Sequence, residues 1–481
     1  MDGTALHPTR LPALRSALQA LHAGRFPAAA AASAPWAADP LDLEAGLIHA
    51  LARAAEGDTG TAPALARIAR SRSGSNHPVQ DLMDLLRQAG RPADALPHLR
   101  AAAAEMPDDA RLPALLGALL AECGPMPEAV AAFRRAIALR PDAAGWSNLG
   151  KALAAEGRFA EADAAHAQAV ALAPADAQLA LNHAVALLKS GRLAEGWEAL
   201  EYRYRLPGRR APLPGSRAEA LDAAAGRTVL LCQEEGLGDT LQMIRYAPLL
   251  AARGARVLAW VPAALMRLMA AVPGVSGVVP TGALPRFDLW CPMLSLPRLF
   301  GTTLDRMPPA APYLRADPAE AARWAARLPH GGLRVGVAWA GGLHPNDPTA
   351  ALTDRVRSMA PGFLAPLAGL PGVRLVSLQL GVAPPPGLGM ADPMPGVRDF
   401  ADTAGIVANL DAVVSVDTAV AHLAAGMGKP VLLLDRYDAC WRWLHGRTDS
   451  PWYPTLRICR QASPGDWRSA VKAAGDILGT A

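Results

Sequence analysis

Aromatic residues are scarce in this 481-residue chain, at 5% against 51% hydrophobic overall. Alanine and leucine carry most of the apolar content, which favours closely packed helices over a sheet-rich sandwich. An excess of one charge is also missing. The formal net charge is only +4 and the arginines are scattered, so there is no electrostatic footprint for nucleic acid. The five cysteines (Cys123, Cys232, Cys291, Cys440, Cys459) are odd in number and form no C-x-x-C pair, which points to neither a disulfide framework nor a zinc site. No apolar run approaches the length of a membrane span, and no secretory signal follows Met1-Asp2-Gly3, so a cytoplasmic protein is expected. The length leaves room for about two to four domains.

What is present first is repetition. In "WSNLGKALAAEGRFAEADAAHAQAVALAP" (Trp146–Pro174), Leu149-Gly150, Ala162 and Ala169 fall where Leu116-Gly117, Ala129 and Ala136 fall in the preceding stretch. The closing prolines Pro107, Pro141 and Pro174 are 34 and 33 residues apart. Another unit follows through Leu181, Ala184, Leu187, Gly191 and Trp197. This pattern resembles the tetratricopeptide repeat (TPR), a helix–turn–helix. Its small residues let two helices approach, and its proline ends the second helix. The spacing predicts TPR repeats over 79–205, with degenerate or capping helices over 1–78. Such an array offers a groove for a partner protein, or it only scaffolds.

The grammar then changes. Residues 206–226, rich in proline, glycine and arginine, read as a linker. Beyond them short apolar runs alternate with helices: "TVLLC", "ARVLAWV", "VSGVV" and "FDLWC", then "LRVGVAWAG", "VRLVSLQLG", "LDAVVSV" and "KPVLLLD". Uniformly apolar strands between helices imply parallel sheets covered on both faces. The restart after His330 implies two Rossmann-like lobes, 227–315 and 330–481, with ligands bound beyond the carboxyl ends of strands. The expected fold class is thus α plus α/β: a TPR-type solenoid followed by a two-lobed α/β domain.

Two strand-to-helix turns stand out. In "EEGLGDTLQMIRY" (Glu234–Tyr246), Gly236 and Gly238 let the backbone approach a ligand, and Asp239 opens a helix with the spacing of a capping box to Gln242. Gln242 and Arg245 suit either the cleft or an ordinary polar face. In "VVSVDTAVAHLAAGMGKPV" (Val413–Val431), Asp417 and Thr418 precede a helix with His422 near its start. An open helix N-terminus suits a diphosphate, although Asp417 or Thr418 could equally be a plain cap. Trp441, Trp443, Trp452 and Tyr453 are expected to pack the tail across the lobes rather than stack a ligand. Asp347, Asp435 and Asp438 make no metal-ligand pattern, so no metal is expected.

Three stretches carry a further resemblance: Glu234–Tyr246, "RVGVAWAGGLHPND" (Arg334–Asp347) with Arg357-Ser358, and "DTAVAHLAAGMGKPVLLL" (Asp417–Leu434). Together with the tail Trp441–Gln461, they resemble bacterial proteins that fuse TPR repeats to a heptosyltransferase-like (GT-B) glycosyltransferase domain. The resemblance implies an inverting, metal-independent transferase with Asp239 as general base. It places Asp417, Thr418 and His422 against the donor's sugar–diphosphate, Trp339, Ser377 and Gln379 around the nucleotide, and Arg357 as the phosphate cation. Gly236, Gly238 and Gln242 fall on the acceptor side. The substrate would be a nucleotide sugar, with no separate cofactor, and the acceptor a protein hydroxyl held by the repeats, with flagellin as the guess. The chain departs from that pattern at Pro345, where a lysine is common, and in a short first lobe. A cell-surface polysaccharide or heptosyl-type transferase, and a TPR adaptor with an inactive transferase domain, remain as alternatives.

Overall fold

The computed structural model describes residues 9–39, 41–71, 78–206, 213, 215–309, 312–342 and 354–480. The chain divides into two compact units, Met1–Leu179 and Ala180–Ala481. It is a helical repeat array followed by parallel α/β sheets. No helix among the described residues is long and apolar enough to cross a membrane.

In the first unit consecutive helices pack pairwise, among them Arg111–Cys123 with Met126–Leu139 and Ala143–Ala155 with Phe159–Leu172. The small positions of the repeat explain the close approach. A methyl on Gly117 would stand 2.8 Å from the Phe133 ring, and one on Gly150 2.7 Å from His166 Nε2. Aspartates start several of the helices, among them Asp142, which accepts from Gly145 N–H at 2.7 Å, and Asp42, which accepts from Ala45 N–H at 3.0 Å. Ahead of the repeats, Arg10–His22, Phe26–Ala37, Leu43–Ala55 and Ala62–Ser71 are also helical.

The second unit holds two all-parallel sheets. The first has β1 (Thr228–Cys232), β2 (Arg256–Val261), β3 (Val275–Pro280) and β4 (Leu289–Pro292), in the order β3-β2-β1-β4. The second has β5 (Leu333–Ala338), β6 (Val373–Ser377), β7 (Ala412–Val416), β8 (Val431–Asp435) and β9 (Leu456–Arg460), in the order β6-β5-β7-β8-β9. Strands β7 and β8 are buried throughout, as strands covered on both faces must be. The restart of the alternation is thus a second sheet, and the tail adds a strand, β9, that its composition does not announce.

The described end of the segment expected as a linker is docked. Ala218 N–H donates to Trp290 C=O at 2.9 Å and Trp290 N–H to Ser216 C=O at 3.1 Å, so this stretch pairs along β4. The last helix pair contributes to the second unit: Trp197, 1% exposed, donates from Nε1 to Thr302 C=O at 3.1 Å and meets Trp441 edge-on at 5.3 Å. Trp443, Trp452 and Tyr453 are equally buried.

Among the described residues, the lobes meet at an ion cluster and at a helix pair. Arg267 of the first contacts Asp399 at 3.2 Å and Asp402 at 3.3 Å in the second, and also pairs with Glu320. Arg398, with Arg267 behind it, holds the Asp402 carboxyl far below the usual range. The second contact joins the helix Leu237–Met243 to the helix Ala419–Gly426. It forms the site.

Candidate functional site

Both helices follow the carboxyl ends of central strands, β1 and β7, where parallel sheets bind ligands. The first begins earlier than its sequence suggests. Gly236 is the cap and Asp239 occupies the third helical position, from which Oδ2 accepts the Gly236 N–H at 3.0 Å. Asp239 is therefore the carboxylate half of a capping box rather than its cap, which corrects the expected start. Its other oxygen pairs with the Arg442 guanidinium, and the side chain is 15% exposed.

In the second helix Thr418 is the cap, but its side chain does not bond to the helix backbone. Its hydroxyl bonds to Ser415 Oγ at 3.0 Å, which leaves the helix opening uncovered by its own side chain. His422, 3% exposed, lies in the first turns, with Nδ1 2.9 Å from Tyr453 OH and Nε2 3.9 Å from Asp417 Oδ1. Its ring stacks on Trp443 with centroids 5.2 Å apart. Burial pushes the imidazole down to about 4, so it is neutral at physiological pH.

A cleft of roughly 210 Å³ lies between these helices. Gly236, Gly238, Asp239, Gly341, Gly342, Arg357, Asp417, Thr418, His422 and Arg442 line it. Among the described residues, the charged groups that line it are Arg357, Arg442, Asp239 and Asp417. Arg357 pairs with Asp354, while Arg442 also reaches Gln242 Oε1 at 3.1 Å and lies over the Trp441 ring at 4.1 Å. Burial lowers Arg442 to about 10, which still leaves it charged at neutral pH. Cations beside the open end of a helix make an environment for an anion.

Seven of the residues singled out in the sequence come together here: Gly236, Gly238, Asp239, Arg357, Asp417, Thr418 and His422. Four do not. Trp339, 2% exposed, packs with Met359 and Leu364 in the core of the second lobe. Gln379 spends its Oε1 on the backbone N–H groups of Trp339 and Ala340, at 3.1 and 2.9 Å, and so fixes the chain leaving β5. Ser377 is fully buried and its Oγ accepts from Gln379 N–H at 3.3 Å. These three do not line the cleft; each is buried and bonded or packed at the ends of β5 and β6. Gln242 is fully buried beneath Arg442, neither in the cleft nor on a polar surface, and Arg245 beside it is 3% exposed. Pro345 and Asp347 lie outside the described residues.

Arg442 is the residue that sequence reasoning missed. The signal was the alternation Trp441-Arg442-Trp443, one tryptophan under the guanidinium and the other under His422. Read only as packing aromatics, the tail hid its arginine.

The tetratricopeptide repeat family matches residues 86–152. Protein FlbA of Caulobacter vibrioides (strain ATCC 19089 / CIP 103742 / CB 15) is 28% identical over 426 residues, covering 80% of this chain and 70% of that protein. Among solved structures, an O-GlcNAc transferase of Thermobaculum terrenum is 18% identical, with a TM-score of 0.28, over 84% of this chain and 90% of the other. A crystal structure of MamA is 19% identical, with a TM-score of 0.26, over 32% of this chain and 91% of the other.

Proposed function

We propose that the second unit is a metal-independent, inverting glycosyltransferase that moves a sugar from a nucleotide donor to a protein hydroxyl, with the repeats recruiting the acceptor. The observation that carries this reading is the convergence, in one cleft, of Asp239 from the first lobe with the uncovered helix end at Thr418 from the second. Asp239 is the base and takes the acceptor's proton as its oxygen bonds to the sugar's anomeric carbon. The bond from that carbon to the diphosphate breaks, and the diphosphate leaves with the electron pair. The helix end, Arg357 and Arg442 neutralise the leaving group. A diphosphate that draws Arg442 towards itself also frees the Asp239 oxygen that Arg442 holds. The resemblance offers flagellin as the acceptor.

A second reading, a repeat adaptor with an inactive transferase domain, draws on the same ion pairs. Asp239 with Arg442 and Arg357 with Asp354 neutralise one another, and about 210 Å³ is small for a ligand pocket.

Co-expression with candidate acceptor proteins and intact-mass measurement beside an Asp239→Ala variant, together with turnover and thermal-shift assays, separates these readings from the polysaccharide alternative. A glycan-sized mass gain that the variant lacks supports transfer to protein. Nucleotide-sugar turnover without protein modification favours the polysaccharide alternative. No binding of any nucleotide sugar in a thermal-shift panel favours the adaptor.

A further inference from the structure

Beneath the cleft, a chain of buried polar groups runs from His422 to the first lobe. Arg245 donates from Nη2 to Tyr313 OH at 3.0 Å, from Nη1 to Trp452 C=O at 2.8 Å and from Nε to Gln242 C=O at 2.8 Å. Tyr313 has one proton and gives it to Leu241 C=O at 2.8 Å. Tyr453 OH then has two neighbours for its own proton: Tyr313 OH at 3.4 Å and His422 Nδ1 at 2.9 Å. The first is beyond the ordinary O–H···O range and the second within it.

Were the histidine protonated on Nδ1, that N–H would point at the Tyr453 oxygen, and the tyrosine proton would be left with the long contact. The charges around the ring favour the same arrangement. Arg245 lies over the Tyr453 ring at 4.6 Å, and its charge opposes a further proton on the imidazole. On the other side Asp417 Oδ1 is 3.9 Å from Nε2, where a carboxylate prefers an N–H to a lone pair. Stacking on Trp443, with Gly238 against the Cδ2 edge, holds the ring plane in place.

We infer that Tyr453 is a positioning residue that donates to Nδ1 and locks His422 in the tautomer carrying its proton on Nε2, so that a neutral imidazole presents an N–H to the cleft for an oxygen of a diphosphate-class anion. The ligand class rests on the proposed function, whereas the tautomer stands on the geometry alone. A neutral donor placed there keeps its hydrogen bond without adding a charge that the neighbouring guanidiniums would oppose.

The test is imidazole-15N NMR of the full-length chain at pH 7, with the His422 signals identified by their loss in His422→Asn. The expected spectrum shows a protonated Nε2 and an unprotonated Nδ1. Tyr453→Phe, which keeps the ring and removes the hydroxyl, should give a mixture of tautomers. It should also weaken inorganic pyrophosphate binding, by calorimetry, about two- to tenfold, the worth of one hydrogen bond. A proton on Nδ1 in the unmodified chain overturns the inference without need of a variant, which guards against a Tyr453→Phe protein that does not fold. A folded Tyr453→Phe chain that keeps the pure Nε2 tautomer also overturns it. Absence of pyrophosphate binding by the unmodified protein overturns the ligand class. Sugar transfer that fails while the tautomer result holds refutes the proposed function alone.

Discussion

Gly238 and His422 touch across the two lobes: a methyl placed on Gly238 would stand 2.9 Å from His422 Cδ2 and the nearest backbone, Ala419 Cα, is 3.5 Å away. The glycine turn of the first lobe therefore seats the helix of the second. Because Gly238 sits in ordinary helix, its requirement is steric. Gly238→Ala is expected to push the two helices apart and destabilise the second unit by about 1–3 kcal/mol, as overpacking does. A urea unfolding midpoint equal to that of the parent protein would show that the contact relaxes freely.

The Asp239–Arg442 pair should behave as a unit. Asp239→Asn and Arg442→Met each strip a partner from a mostly buried charge, which costs several kcal/mol at the upper limit. The double variant is expected to lose less than the sum of the two, with a coupling of about 0.5–3 kcal/mol in a urea double-mutant cycle. Simple additivity would mean that the pair is not formed in solution.

His422 predicts a pH dependence. Its imidazole is lowered from 6.5 to about 4 by burial, so between those values the unfolded chain binds a proton that the folded chain does not. Stability then rises with pH through this window and is lost as pH falls towards 4, by about 3 kcal/mol in full. His445, pushed down to about 3 by burial, acts with the same sign. Asp435, raised by burial to about 7, acts with the opposite sign as pH climbs from 4 to 7. The quantity to measure is therefore the difference between parent and His422→Asn in urea unfolding at pH 7, 5.5 and 4.5. That difference should shrink as pH falls, and a constant difference contradicts the buried neutral imidazole.

Trp197 belongs, by its packing, to the α/β unit. Its side chain is 1% exposed and lies among Trp441, Trp452 and the Thr302 carbonyl. Trp197→Ala is expected to cost about 3–5 kcal/mol. The loss should fall on the unfolding transition of the sheet-containing unit, followed by near-UV dichroism. A shift confined to the helical repeats would place the residue in the wrong unit.

The architecture was legible because its two halves follow different periods. Alanine and leucine at repeat spacing specify helices that bury one face against the next. Strands such as "AVVSV" and "VLLLD", apolar at nearly every position, can only be the interior of a covered parallel sheet. The turns after β1 and β7 were legible too, since a glycine turn or an Asp-Thr pair before a helix is local chemistry.

What the sequence could not convey was direction and partnership at long range. Trp339, Ser377 and Gln379 stand at strand ends, yet packing turned them towards the second lobe's core. Arg442 reached the cleft only because the tail folds back 200 residues later to set its guanidinium against Gln242 and Asp239. Spacing along a chain determines which residues share a helix or a strand, because backbone geometry repeats over a few residues. Which charges meet across a cleft depends on how finished elements pack, and only the tertiary structure decided that.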